Sequence, residues 1–261
     1  MQQTSTSAQA DLTAEHLAAA EFAAAAGDLL LELREAATTE DRGDLGDRRA
    51  HELLMQLIGE RFPNDQIRSE EGVARAPDDT RLWIIDPLDG TREYREGRSD
   101  WAVHVALEIG GRAVVGAVAL PGLGEVLSTG TPPPLAAPED PPRIVISRTR
   151  PPSFVPALVE ALGAVTVPMG SAGAKIAAVI RGEAEIYVHA GGQYEWDSAA
   201  PVAVAQAAGL FTSRVDGSEL VYGNESPWLP DLVVCQPHLA EQILEVLATL
   251  GLEPAPEPAP R

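Results

Sequence analysis

The chain has 261 residues and a net charge of −20, from 39 acids against 19 bases; this argues against nucleic acid or an anionic membrane held through bulk charge. An apolar content of 45% suffices for a sizeable core, in one large domain or two of ordinary size. The single Cys235 excludes an internal disulfide and fits a reducing compartment.

The first twelve residues are polar and are expected to be loose, with neither the basic nor the apolar region of a signal peptide. No apolar run is long enough to span a bilayer, so a soluble, cytoplasmic protein is expected. From Thr13 to about Ala37 the Ala-, Leu- and Glu-rich sequence predicts a long helix, and the polar residues 38–47 a loop. Ala50, Leu53, Leu54, Leu57 and Ile58 share one helical face, which makes Asp47 the expected N-cap of a second helix. A short strand from Ile67 then closes on the paired acids Glu70 and Glu71.

Leu82, Trp83, Ile84 and Ile85 read as a buried strand, ended by Asp86, with Pro87 and Asp89-Gly90 forming a turn. Trp101 to Ile109 alternates as a half-buried strand, and two Gly-containing turns continue it into strands at 113–120 and 125–129, an antiparallel meander. The stretch 132–142 carries six prolines and reads as a linker. Beyond it, strands and helices alternate from 143 to about 250 in α/β order, and residues 253–261 form a Pro-rich tail expected to be disordered. The chain thus divides into 1–131, an α+β half carrying the acidic strand end, and 143–252, an α/β half; a site in the cleft between them is expected.

The chemistry gathers at the strand end Asp86-Pro-Leu-Asp-Gly-Thr91. Two carboxylates three residues apart repel one another, and a divalent cation with all-oxygen ligands removes the conflict. Gly90 and Thr91 follow in a loop able to aim backbone amides at an anion. A strand followed by an ordinary Asp-Pro, Asp-Gly turn is the plain alternative. Glu70 would reach the same cation if its strand lies beside that of Asp86. Asp197, after the Gly-rich stretch 191–192, reads either as a helix N-cap or as a carboxylate brought back to the metal. Ser171 and Lys175 lie in a strand-to-helix turn, Gly170-Ser-Ala-Gly-Ala-Lys175, that suits an anion or is an ordinary βα loop with a surface lysine. Ser147, Arg148 and Arg150 close another strand, their arginines holding a phosphate or simply solvated.

Taken together and in order, Ser69-Glu-Glu-Gly72, Asp86-Pro-Leu-Asp-Gly-Thr91 and Trp196-Asp-Ser-Ala-Ala-Pro201 resemble the magnesium-dependent, lithium-sensitive inositol monophosphatase superfamily. The resemblance covers nearly the whole chain. Arg92-Glu93-Tyr94 after the Asp-Gly-Thr, the Lys175 turn and the stretch from His189 to Asp197 look like the CysQ-type 3′(2′),5′-bisphosphate nucleotidases. The resemblance implies a layered α-β-α-β-α sandwich of the α/β class. It implies hydrolysis of the 3′-phosphate of 3′-phosphoadenosine 5′-phosphate (PAP) or its sulfated analogue, a step in sulfur assimilation. Two magnesium ions, or three, would be held by Glu70, Asp86, the Leu88 carbonyl, Asp89 and Asp197. Asp47 and Thr91 would activate the attacking water. Gly90, Thr91, Ser147, Arg150, Ser171, Lys175 and Asp197 would contact a small phosphorylated nucleotide, with neither nucleic acid nor membrane as partner. A monomer or a homodimer is compatible with it. The run before Asp47 departs from the family pattern, which leaves Asp41 and Asp44 as rivals for the base. Arg150 stands where animal members carry histidine, which leaves the base and sugar contacts open. Inositol 1-phosphate and fructose 1,6-bisphosphate are alternative substrates for the same metal site. A non-catalytic phosphate-binding module is the alternative of another class.

Overall fold

A computed structural model describes residues 11–36, 42–70, 72–74, 80–252 and 255–257. The Ala-rich first segment forms α1, Thr13–Ala36, which buries Phe22 and Leu30 among its alanines. The second helix, α2, spans Arg42–Arg61 and so begins earlier than the sequence suggests. Gly43 and Gly46 read as loop residues by propensity, yet both are buried inside this helix. A Cβ at position 46 would stand 3.0 Å from Leu30 and 3.1 Å from Tyr94, so close packing on α1 outweighs the intrinsic helix penalty of glycine. Asp41 and residues 37–40 lie outside the described residues, as do 1–10 and Glu71.

Strands β1 (Gln66–Ser69), β2 (Gly72–Ala74), β3 (Arg81–Asp89), β4 (Ala102–Ile109), β5 (Arg112–Leu120) and β6 (Glu125–Ser128) form one sheet in the order β2-β1-β3-β4-β5-β6. Among the described residues, only β1 and β3 pair in parallel there, and their register sets Ser69 beside Ile85. A short helix, α3 (Thr91–Arg95), follows β3. The second sheet holds β7 (Arg143–Ser147), β8 (Val165–Met169), β9 (Ile186–Tyr194), β10 (Phe211–Ser213) and β11 (Trp228–Cys235) in the order β10-β11-β9-β7-β8. Its β7 is parallel to both neighbours, whereas β9, β11 and β10 run antiparallel. The helices of this half are α4 (Val155–Leu162), α5 (Ala172–Ile180), α6 (Glu195–Ala207) and α7 (Ala240–Thr249).

The layers follow from which faces are apolar. Trp83, Ile85, Val103 and Val105 face α1 and α2. Ile84, Ala106 and Val118 face the opposite way, onto α5 and α6, which also receive Val145, Leu232 and Val234 of the second sheet. Ile144, Ile186 and Val233 face outward onto α4 and α7. The result is the α-β-α-β-α sandwich. Strand β4 is buried on both faces from Ala102 to Glu108, not half-buried, because helices cover both sides of its sheet. Segment 132–142 is not a free linker: the Ala136 carbonyl accepts from Gln236 and the Glu139 amide donates to Glu185. In the tail, Ala255–Glu257 lie against the second half, with Trp228 donating to the Ala255 carbonyl and Ser226 to Glu257. Among the described residues no helix is long and apolar enough to cross a membrane.

A buried ion pair ties the sheets together at the start of α6. Arg68 of β1 donates to Glu195 at 2.6 Å and to the Asn224 carbonyl at 2.8 Å, and Glu195 also accepts the Asn224 amide at 2.9 Å. The Glu195 side chain is fully buried, so removing it strands a cation and a backbone donor. Glu195→Ala is expected to destabilise the fold by about 3–5 kcal/mol. Glu219→Ala, which breaks the exposed pair with Arg112, is expected to change stability by no more than about 1 kcal/mol. Urea unfolding of both variants checks the contrast, and equal midpoints would remove Glu195 from this role.

Candidate active site

At the end of β3 the ladder does not stop at Asp86. Asp86 pairs with His104 and Asp89 with Ala102, so Pro87 and Leu88 form a bulge inside the strand rather than a turn beyond it. Proline suits that position because it has no amide to offer the ladder. The bulge brings both carboxylates to one end of the strand. Asp86 folds back to accept the Leu88 amide at 3.0 Å, and the Thr91 hydroxyl donates to the Leu88 carbonyl at 3.2 Å. Gly90 then takes φ of 91°, a conformation that side-chain-bearing residues rarely adopt, and opens α3.

Asp89 reaches across to the second half. Its carboxylate accepts the Ser171 hydroxyl at 2.5 Å, the Ala172 amide at 3.2 Å and the Gly173 amide at 2.5 Å. These are orphan donors at the N-terminus of α5, where a negative charge is stabilised. The approach requires glycine at 173, since a Cβ there would stand 1.8 Å from His104 Nε2. Asp197 arrives from α6. It is the third residue of that helix, not its N-cap, and its carboxylate accepts the Tyr194 amide at 2.7 Å. The Gly-rich stretch before it is no loop either: Gly191 and Gly192 belong to β9.

Oxygen atoms of Asp86, Asp89 and Asp197 lie within 4.8 Å of one another. Burial pushes the Asp86 carboxyl well above its ordinary value, reinforced by the charges of Asp89, Asp197, Glu70 and Asp47. Burial, with the charge of Asp89, likewise raises Asp197 to about 7. An all-oxygen donor set that resists ionisation without a cation suits a hard divalent ion such as magnesium. Glu70 follows β1 beside the end of β3, near enough for its charge to act on both Asp86 and Asp197. Asp47 lies within α2, and its charge also acts on Asp86. Asp44 turns outward to pair with Arg95, its side chain 82% exposed.

A cleft of about 520 Å³ opens beside the cluster, bordered by Asp89, Gly90, Thr91, Asp197, Ser147, Arg150, Ser171 and Lys175. Lys175 is no surface lysine. It is buried, its ammonium donates to the Ser171 and Gly170 carbonyls, and it stands 5.3 Å from the centre of the Tyr187 ring. Burial holds its pKa below the usual lysine value. Ser171 is the N-cap of α5, its Oγ accepting the Ala174 amide at 2.9 Å. Arg148 is engaged by Glu93 and Glu96, each at 2.8 Å, whereas Arg150 lies exposed along the cleft. The Ser147 hydroxyl accepts the Arg150 amide at 3.2 Å.

Sequence reading passed over several residues here. His104 is fully buried behind Asp89, with Nδ1 on the Trp196 carbonyl at 2.9 Å and Nε2 at 3.5 Å from Asp89. Burial lowers its pKa. A histidine on a strand otherwise made of apolar residues and Glu108 was the available signal. His189, Gln193, Tyr194 and Trp228 also line the cleft. Their signal was weaker, because they come from one strand and its neighbour β11 with no spacing to mark them.

Residues 6–251 match the model of the family described as "Inositol monophosphatase family". The chain is 45% identical to the 3′-phosphoadenosine 5′-phosphate phosphatase of Mycobacterium leprae, over 92% of this chain and 95% of that one. It is 30% identical to the 3′(2′),5′-bisphosphate nucleotidase CysQ of Escherichia coli K12, over 66% of this chain and 76% of the relative. The solved structure of CysQ from Bacteroides thetaiotaomicron superposes with a TM-score of 0.75 at 26% identity, covering 87% of this chain and 98% of that one. The inositol monophosphatase from Anabaena sp. PCC 7120 shares the fold, with a TM-score of 0.74 at 23% identity over 94% and 98% of the two chains.

The raised carboxyl pKa values fix the sign of a pH effect. A carboxyl whose folded pKa lies above its unfolded value stabilises fully below the unfolded value, and that contribution is lost as pH rises through the folded one. For Asp197 the window runs from the ordinary 3.8 to about 7. In chelator, the melting temperature is therefore expected to fall between pH 5 and pH 8 more steeply for the native chain than for Asp197→Asn. Magnesium at pH 8 should raise the native chain's melting temperature and the variant's less. Identical pH slopes for the two proteins would show that the Asp197 carboxyl carries no such strain.

Proposed function

Because the chain belongs to the inositol monophosphatase family, we propose that it is a metal-dependent phosphatase that removes the 3′-phosphate of PAP, giving AMP and inorganic phosphate. The observation that carries this reading is the join between the buried carboxylate cluster and a nucleotide-sized cleft lined with cations. The identity of 45% to a PAP phosphatase over nearly the full length of both chains supports the substrate.

Asp86, Asp89, Asp197, Glu70 and the Leu88 carbonyl are the groups that would hold two magnesium ions, or three, with lithium as an inhibitor. Magnesium bound there supplies Lewis-acid stabilisation of the reacting phosphoryl group and a nucleophilic water at neutral pH. The Thr91 hydroxyl, which donates to the Leu88 carbonyl here, would accept the proton of the attacking water and turn to pass its own to Asp47, the general base. Water adds to phosphorus as the bond to the ribose 3′-oxygen breaks; that oxygen takes a proton from solvent to become the AMP hydroxyl, and Asp47 returns its proton to solvent. The Gly90 and Thr91 amides donate to the phosphoryl oxygens. Ser147, Arg150, Ser171 and Lys175, which border the cleft, would contact the rest of the nucleotide, the exposed Arg150 meeting the 5′-phosphate remote from the reacting one. The enzyme would act in the cytoplasm as a monomer or homodimer; its Cys235 thiol is buried, and burial pushes it up to about 12, away from the reactive thiolate.

Phosphate release from PAP, inositol 1-phosphate and fructose 1,6-bisphosphate, measured side by side with magnesium, is expected to rank PAP first in kcat/KM. A higher value for either of the others would replace the nucleotidase reading. Asp86→Asn is expected to abolish turnover with the fold intact. Asp47→Asn should lower kcat by about two orders of magnitude or more, with substrate binding retained. Arg150→Ala should cost about tenfold on PAP and leave inositol 1-phosphate nearly unaffected. An equal loss on both substrates would remove Arg150 from the 5′-phosphate.

A further inference from the structure

His104 sits on β4 between Ala102 and Ala106, on the face of the first sheet that packs onto α5 and α6. The imidazole is fully buried, and its Nε2 has no hydrogen-bond partner among the described residues. The ring therefore carries the desolvation cost of a polar atom with nothing to offset it, and native structures seldom tolerate this without a reason. An apolar side chain would fill the position without that cost. What the ring touches supplies the reason.

The three segments that carry the buried carboxylates meet at this ring. Asp86 is its cross-strand partner on β3, and such partners share a face. Nε2 stands 3.5 Å from Asp89 Oδ2. Nδ1 stands 2.9 Å from the carbonyl oxygen of Trp196, the residue before Asp197. A carbonyl only accepts, so Nδ1 carries a proton and the hydrogen bond runs from the ring to α6. Toward Asp89 the ring acts as a spacer. Asp89 Oδ2 accepts the Ser171 hydroxyl and the Gly173 amide, and with the ring edge beside it the carboxylate has no room to withdraw toward β4. Gly173 leaves the ring its place, since a Cβ there would overlap Nε2.

The bond to α6 falls where that helix's own ladder is incomplete. Pro201 lies inside the helix and has no N–H, so the Asp197 carbonyl lacks the bond it would receive from four residues on. His104 anchors the carbonyl one residue earlier. We infer that His104 is a positioning residue of the metal site, one buried ring that sets Asp197 against Asp89. It is not itself a ligand: among the described residues, the ligand atoms that lie within 4.8 Å of one another are those of Asp86, Asp89 and Asp197. Groups that orient metal ligands from behind contribute about tenfold to a hundredfold in metal affinity. The inference rests on the metal-dependent reading above.

The test measures magnesium binding by calorimetry on the full chain, stripped with chelator and free of substrate. His104→Leu removes the donor at similar bulk. His104→Asn keeps it, because the asparagine amide nitrogen takes the place of Nδ1. The leucine variant should bind magnesium about tenfold to a hundredfold more weakly than the native chain. The asparagine variant should recover most of that loss. In turnover, the magnesium concentration giving half the maximal rate should shift with the calorimetric constant, while KM for the nucleotide at saturating magnesium stays near the native value. Equal magnesium affinity of the native and leucine chains would overturn the inference, and a lowered melting temperature in chelator beside it would make His104 a support of the strand. Equal losses in the leucine and asparagine variants would also overturn it, by removing the bond to Trp196 as the cause. If the leucine variant does not fold, His104→Gln replaces it, carrying the amide beyond the place of Nδ1, and failure of both would show that the ring is structural. A native chain that binds no magnesium would instead bring down the metal-dependent reading, before any variant is compared.

Discussion

Asp89 leaves the end of β3 and accepts three hydrogen bonds from the first turn of α5, so one carboxylate joins the strand end of the first sheet to a helix of the second half. Much of the local geometry follows from that contact. The bulge at Pro87 and Leu88 is needed to bring Asp89 to the edge, and Gly90 to turn the chain away behind it. On the other side, Ser171 is held at φ of 49°, an unfavourable backbone for a residue with a side chain, and its hydroxyl both donates to Asp89 and caps α5. Gly173 completes the approach, with His104 packed behind it. The helix N-terminus supplies what a buried carboxylate lacks, namely amide donors and the positive end of a dipole.

The cluster beyond Asp89 has no such compensation. Asp86 and Asp197 are pushed toward the neutral form by burial and by each other's neighbours. A fold selected for stability alone would place apolar residues there, since crowded buried carboxylates are costly without a partner. The surrounding structure has to over-determine their position, and it does so with uncharged contacts and remote ion pairs. Tyr194 holds Asp197 through its backbone amide, Leu88 holds Asp86 in the same way, and the Arg68–Glu195 pair anchors the first turn of α6. None of these partners neutralises the cluster, which leaves its charge available to a cation.

The strand-and-helix order of both halves was legible because it depends on periodicity and on proline and glycine punctuation. The three acidic motifs were legible because their residue types have few structural uses in combination. What sequence obscured came from tertiary packing. The start of α2 looked like a loop because Gly43 and Gly46 are poor helix formers, yet the small size of Gly46 is what α1 and Tyr94 require, and that of Gly43 what the Arg95 side chain requires. Gly191 and Gly192 looked like a loop for the same reason, although β9 runs through them to pair with β11. An N-cap stayed open for Asp197 beside the metal-ligand reading because the helix start was placed three residues late. For Lys175 the sequence left a surface lysine open beside a substrate contact, because nothing in its spacing reports that the side chain is buried.

A chain of net charge −20 that takes a substrate with two phosphates cannot rely on long-range attraction. Screening confines exposed charges to about 8 Å at physiological salt, so the cations that matter are those at the cleft itself. Arg148 is already balanced by Glu93 and Glu96. Lys175 is buried, and burial lowers its pKa, so the Asp89 charge beside it helps to keep the ammonium protonated. That leaves the acidic cluster itself, once it holds cations, as the strongest positive feature facing the reacting phosphate, with the exposed Arg92 and Arg150 also bordering the cleft. The same carboxylates that repel a phosphate in the metal-free protein would thus attract one in the loaded protein. Substrate binding would then be coupled to metal binding by charge, and discrimination between substrates would fall to the parts of the cleft that metal does not reach.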